Sequence, residues 1–134
     1  MTMTLTAKKD EYGFRFRNWD IYKDARDFRN EINEILKTYP KEEKYSLVDQ
    51  TKRALNSIIL NTSEGANKNT DKDMRVYINR AQSSLDEVVA CLDCALDDKY
   101  INKEQHETIL VKASGLAKRF GGFNKFLSLS KSLS

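Results

Sequence analysis

The chain has 134 residues, a length that suits one domain. Charged residues make up 32% and the apolar set 40%, with 5 Gly and 1 Pro. That composition argues against an all-β fold, which needs many Gly and Pro turns, and against linker-like sequence. Net charge is +3, too small to indicate nucleic acid by itself. No run reaches the roughly 18 apolar residues of a membrane span. No apolar secretory segment is visible near the start, and two Cys in such a chain suggest reduced thiols and a cytoplasmic location.

Residues 1–14 read as a flexible N-terminal tail, and 15–130 as a single four-helix domain. Apolar spacing defines the helices. The first carries Ile21, Ala25, Phe28, Ile32, Ile35 and Tyr39, at steps of three and four residues. Pro40 ends it, since Pro lacks an N–H and restricts the residue before it. The second covers about 42–66, with Leu47, Ala54, Leu55, Ile58 and Ile59 on its apolar side and Gly65 near its end.

The third helix starts after Thr70, which with Asp73 resembles a capping box. Its seam is Met74, Ile78, Ala81, Leu85, Val88, Leu92 and Ala95. Asn102 and Gln105 announce the fourth, whose seam is Ile109, Ala113, Leu116, Phe120, Phe123 and Leu127. Gly121 and Gly122 are expected to weaken it, each by about 1 kcal/mol relative to Ala. Short linkers make consecutive helices antiparallel neighbours. The expected fold is all-α, an up-down-up-down antiparallel four-helix bundle.

Charge is unevenly distributed. After residue 102 the chain carries six Lys and Arg against Glu104 and Glu107, whereas 70–100 is acidic. Two complementary helices would produce this pattern, and so would a basic binding surface. Lys118 and Arg119 flank Phe120, at the edge of the fourth seam.

Residues for catalysis are scarce. His106 is the only histidine, near a helix start. Ser128 and Lys131 match a Ser-x-x-Lys spacing without its companion motifs. Cys91 and Cys94 form a Cys-x-x-Cys in mid-helix, where no dipole lowers a thiol pKa, and no second pair completes a zinc site. No catalytic residue, metal site or cofactor is expected. In the second helix, Gln50, Arg53, Ser57, Asn61 and Glu64 step by three and four into one polar stripe. It is either a solvated face or a polar interface, and its Ser, Asn and Gln suit hydrogen bonding to another helix.

Several motifs match a known family. Tyr45–Ala54 (YSLVDQTKRA) resembles Y-G-L-x-x-Q-I-R-R-A, and Ser57–Gly65 (SIILNTSEG) resembles S-I-P-S-N-I-A-E-G. Phe16–Ala25 and Tyr39–Glu43 resemble F-x-x-L-x-V-W-x-x-A and F-P-K-x-E, and Tyr77–Glu87 resembles F-L-x-x-A-x-G-S-L-x-E. These motifs belong to the four-helix-bundle family of 23S rRNA intervening-sequence proteins. That family is related to the accessory variability proteins of diversity-generating retroelements. The likeness covers about residues 16–127, with departures at Tyr22, Thr51, Lys52, Ile59, Ser63 and Ser83.

The resemblance implies a ring-shaped homopentamer and a non-enzymatic, nucleic-acid-associated role. The Asn61–Gly65 motif reads closest to the intervening-sequence branch. Members of the retroelement branch also bind a reverse transcriptase. RNA or DNA phosphates would meet Lys52, Arg53, Lys118 and Arg119, supported by Lys112 and Lys125. Gln50, Ser57, Asn61, Glu64 and Gly65 would serve structure or a subunit interface. The alternative is a protein-interaction scaffold whose charges only maintain solubility.

Overall fold

The computed structural model describes residues 8–132, with side chains as far as residue 129. Four helices form the bundle: α1 Asp20–Leu36, α2 Leu47–Ala66, α3 Asp71–Asp97 and α4 Lys103–Ser132. Each packs against its chain neighbour, and α1 also packs against α4, which closes an up-down-up-down ring.

The seams of α3 and α4 are buried in full, from Met74 to Ala95 and from Ile109 to Leu127. In α1 the buried row is Ile21, Ala25, Phe28, Ile32 and Leu36. The helix stops three residues before Tyr39, and Leu36 takes the buried position expected for Ile35. The Thr38 hydroxyl donates to the Ile35 carbonyl at 2.7 Å, and Tyr39 N–H donates to the Leu36 carbonyl, closing the last turn. Tyr39 remains buried, its ring centroid 5.4 Å from that of Tyr100.

Helix α2 begins at Leu47, later than the sequence pattern suggests. A short 3-10 turn, Lys41–Glu43, follows Pro40 instead. The Glu43 carboxylate accepts from the Ser46 hydroxyl at 2.6 Å and the Leu47 N–H at 3.2 Å, so it supplies the first turn with its acceptor. Thr51 and Thr62 are fully buried in α2. Their hydroxyls each donate 2.7 Å to the carbonyl four residues back, which lets a polar side chain sit in an apolar core.

The caps follow the sequence. Thr70 Oγ1 accepts from Asp73 N–H at 3.1 Å. Asn102 and Gln105 exchange side-chain to backbone bonds at 2.7 and 2.9 Å, a reciprocal box that starts α4. Helix α3 ends with Lys99 at φ 65°. Tyr100 N–H reaches the Ala95 carbonyl and Lys99 N–H the Leu96 carbonyl. This is a Schellman ending, with lysine in the place glycine usually fills. Gly121 and Gly122 leave α4 unbroken. Phe120 and Phe123, buried on either side, hold the helix there through packing.

Residues 1–7 of the expected tail lie outside the described residues. Residues 8–14 fold around Asp10, whose Oδ1 accepts from Tyr12 and Phe14 N–H and whose Oδ2 pairs with Arg17 at 2.5 Å. Trp19 follows, only 1% exposed, with its ring 5.4 Å from Phe123. It plugs the end of the bundle where α4 finishes.

Candidate nucleic-acid interface

The polar stripe of α2 divides into two environments. Ser57 and Asn61 are half-buried on the side facing α3. Asn61 Nδ2 donates to the Ser57 carbonyl and hydroxyl at 2.9 and 3.0 Å, and Ser84 of α3 donates to Ser57 Oγ at 2.8 Å. Gly65 is buried beside them, and a Cβ placed on it would lie 3.1 Å from Tyr77 Cβ. Its role is close approach of two helices, not a left-handed cap. Gln50, Arg53 and Glu64 are exposed, and Arg53 pairs with Asp49 one turn earlier at 2.9 Å. The middle of the stripe thus joins α2 to α3, while its ends face solvent.

The basic residues of α4 also separate. Lys112 donates to Glu31 of α1 at 2.5 Å, and Arg119 pairs with Asp24 of α1. These cations therefore meet acids of the first helix. From α4 to the acidic α3 runs one contact of this kind among the described residues, His106 Nε2 to Asp93 at 2.8 Å. Lys118 borders a groove of about 650 Å³ between α3 and α4, together with Leu96, His106, Leu110 and Val111. Lys125 is exposed.

Lys52 occupies a different setting. It lines a hollow of about 350 Å³ at the corner where α1 ends and α2 begins. Lys37, Lys41 and Lys44 line the same hollow, and no acid among the described residues does. Lys37 also contacts Glu34 at 2.5 Å, but both side chains are exposed, so the pair contributes little. Glu43, next to these lysines in sequence, is engaged elsewhere. Besides Ser46 and Leu47 it accepts from the Tyr100 hydroxyl at 2.9 Å. The Ser46 bond, then the Tyr100 bond, hold its carboxyl below the usual range. The Tyr100 hydroxyl is pushed up by the same bond.

Sequence reasoning finds Lys52 but not Lys37, Lys41 or Lys44. Pro40 and the glutamates between them give the segment the look of a neutral linker. Two polar atoms on residues of the hollow wall, Asn33 Oδ1 and the Tyr39 hydroxyl, are sheltered from solvent and lack hydrogen-bond partners. Burial, and after it the nearby Cys91, push the Tyr39 hydroxyl up to about 12.

Burial raises the Cys91 thiol, with the neighbouring Thr51 hydroxyl acting against it, so it stays protonated at neutral pH. Both cysteines are free. Among the described residues no group of three His, Cys, Asp or Glu could hold a metal ion. No helix among them is long and apolar enough to cross a membrane.

Fold and surface together define an all-α bundle with a lysine-lined corner. The chain belongs to the 23S rRNA-intervening sequence protein family, whose pattern it matches over residues 17–122. A solved structure has the same fold: a protein of unknown function from the S23 ribosomal protein family of Bacteroides thetaiotaomicron VPI-5482. The TM-score is 0.72 at 23% identity, covering 78% of this chain and 98% of that one. No curated protein matches the sequence.

Proposed function

We infer that this protein is a non-enzymatic, nucleic-acid-associated accessory protein that binds phosphates, with RNA as its expected target. The observation that carries this reading is the hollow that Lys52 shares with three other lysines and no acid. Ammonium groups on flexible stems contact phosphates with little dependence on base sequence. Lys118 and Lys125 are further exposed cations, and Arg53 is exposed although paired with Asp49. Lys112 and Arg119 contribute less, because each already meets an acid of α1. Family membership supports the reading. The protein is expected to assemble as a homopentamer in the cytoplasm.

Filter binding to a structured RNA at two salt concentrations tests this. Affinity should fall steeply as salt rises, because phosphate contacts release counterions. Absence of binding at low salt, or indifference to salt, contradicts the reading.

A second reading, a protein-interaction scaffold, draws on the groove between α3 and α4. Leu96, Leu110 and Val111 present apolar surface there, and Val111 is 68% exposed. If that groove is the functional surface, Val111→Asp removes binding of a partner protein and leaves RNA affinity intact.

A further inference from the structure

We propose that the lysine hollow seats a backbone phosphate of a single-stranded nucleic acid, with the adjacent base stacking on Tyr45. The proposal rests on the nucleic-acid reading above and narrows it to one strand form and one place.

Four lysines, Lys37, Lys41, Lys44 and Lys52, line one concavity without an acid among them. Like charges held together repel, and an anion in the hollow removes that repulsion. Of the nearby acids, Glu34 reaches only Lys37, in an exposed pair, and Glu43 is held by Ser46, Leu47 and Tyr100. A phosphate supplies the negative charge that these lysines lack.

Tyr45 supplies the second half. It is 85% exposed, the most open large apolar side chain among the described residues, and sits two residues before α2. The Lys44 ammonium lies over its ring, 5.3 Å from the centroid. Lys44 therefore belongs both to the hollow and to the ring, so the phosphate seat and the aromatic face adjoin. Every base has a π-face, which makes such stacking tolerant of sequence. A duplex hides those faces in its own stack, whereas a single strand offers them.

The experiment is fluorescence anisotropy on the full chain. Its probes are a labelled single strand of about ten nucleotides, within the usual site sizes, and the blunt duplex of that strand with its complement. The variants are Tyr45→Ala, Tyr45→Phe and the double variant Lys41→Gln/Lys52→Gln. Tyr45→Ala should weaken the single strand roughly 5- to 150-fold, as loss of one stacked base does. Tyr45→Phe should preserve it, and neither should change duplex affinity. The lysine pair should lower the single-strand salt slope by about 0.7, the value for one lost phosphate contact. Inorganic pyrophosphate is a separate arm. If it binds as tightly as the strand, and Tyr45→Ala leaves strand affinity unchanged, the hollow is a free-anion site and the proposal is overturned. Strand binding that ignores both Tyr45→Ala and the lysine pair overturns it too, with the nucleic-acid reading left standing. If neither strand nor duplex binds at low salt, the nucleic-acid reading falls, and this proposal with it.

Discussion

Gly65 of α2 and Tyr77 of α3 stand so close that any side chain on the glycine would press on the tyrosine, Cβ to Cβ at 3.1 Å. Tyr77 Cβ is fixed to the α3 backbone and cannot swing away, so the helices would have to part. Gly115 on α4 is the opposite case, since a Cβ added there would meet nothing within 4 Å. Gly65→Ala should lower stability by about 1 kcal/mol net, overpacking outweighing the better helix propensity. Gly115→Ala should raise it by up to about 1 kcal/mol. Thermal melts of both variants check the contrast, and equal shifts would refute the close-approach role.

Glu43 joins the start of α2 to Tyr100, beyond the end of α3, and its carboxyl is held below its ordinary value of 4.5 by those bonds. A carboxyl with a depressed folded pKa adds stability above its unfolded pKa. That stability disappears as pH falls through the folded value. Melting temperature should therefore drop as pH falls below about 4.5, and Glu43→Gln should flatten part of that acid limb. Parallel acid limbs in the two proteins would show that Glu43 plays no such part.

Tyr39 titrates in the opposite direction. Its folded pKa is pushed up to about 12 from 10.0. The stability associated with the neutral hydroxyl is present below pH 10 and is lost as pH rises toward 12. Tyr39→Phe should remove this alkaline sensitivity. It should also be neutral or slightly stabilising at pH 7, because the hydroxyl it deletes is buried without a partner. A clear loss of stability at pH 7 would mean that the hydroxyl has a partner after all.

Lys99 adopts φ 65° in the Schellman ending of α3. A left-handed conformation costs a non-glycine residue about 1 kcal/mol. Lys99→Gly should therefore stabilise the protein by roughly 0.5–1 kcal/mol, offset in part by the freer unfolded chain. A chemical denaturation midpoint that falls would contradict this.

The helices most legible in the sequence are α3 and α4, whose apolar residues recur every three or four positions and whose caps, Thr70 and Asn102, carry their partners in the right register. Helix α1 is less clear at its end, because Ile35, Leu36 and Tyr39 all suit an apolar face and only packing chooses among them. Trp19 escapes notice as core, since it lies outside any periodic run. Thr51 and Thr62 escape it because their burial depends on bonds to carbonyls four residues back. Segment charge fits either a complementary pair of the last helix with the acidic 70–100 stretch or a basic binding surface. It does not show that Glu31 and Asp24 of α1 meet Lys112 and Arg119. The lysine hollow is hidden for a related reason: its four lysines come from both sides of Pro40, and the glutamates between them cancel in any count.

Acetylation footprinting of the lysines, with and without a bound RNA strand, tests most directly where the phosphates sit. With mass-spectrometric readout, Lys37, Lys41, Lys44 and Lys52 should become protected while Lys23 and Lys103 stay equally reactive. Protection confined to Lys118 and Lys125, or absent from every lysine, would contradict the assignment of the phosphate contact to this corner of the bundle.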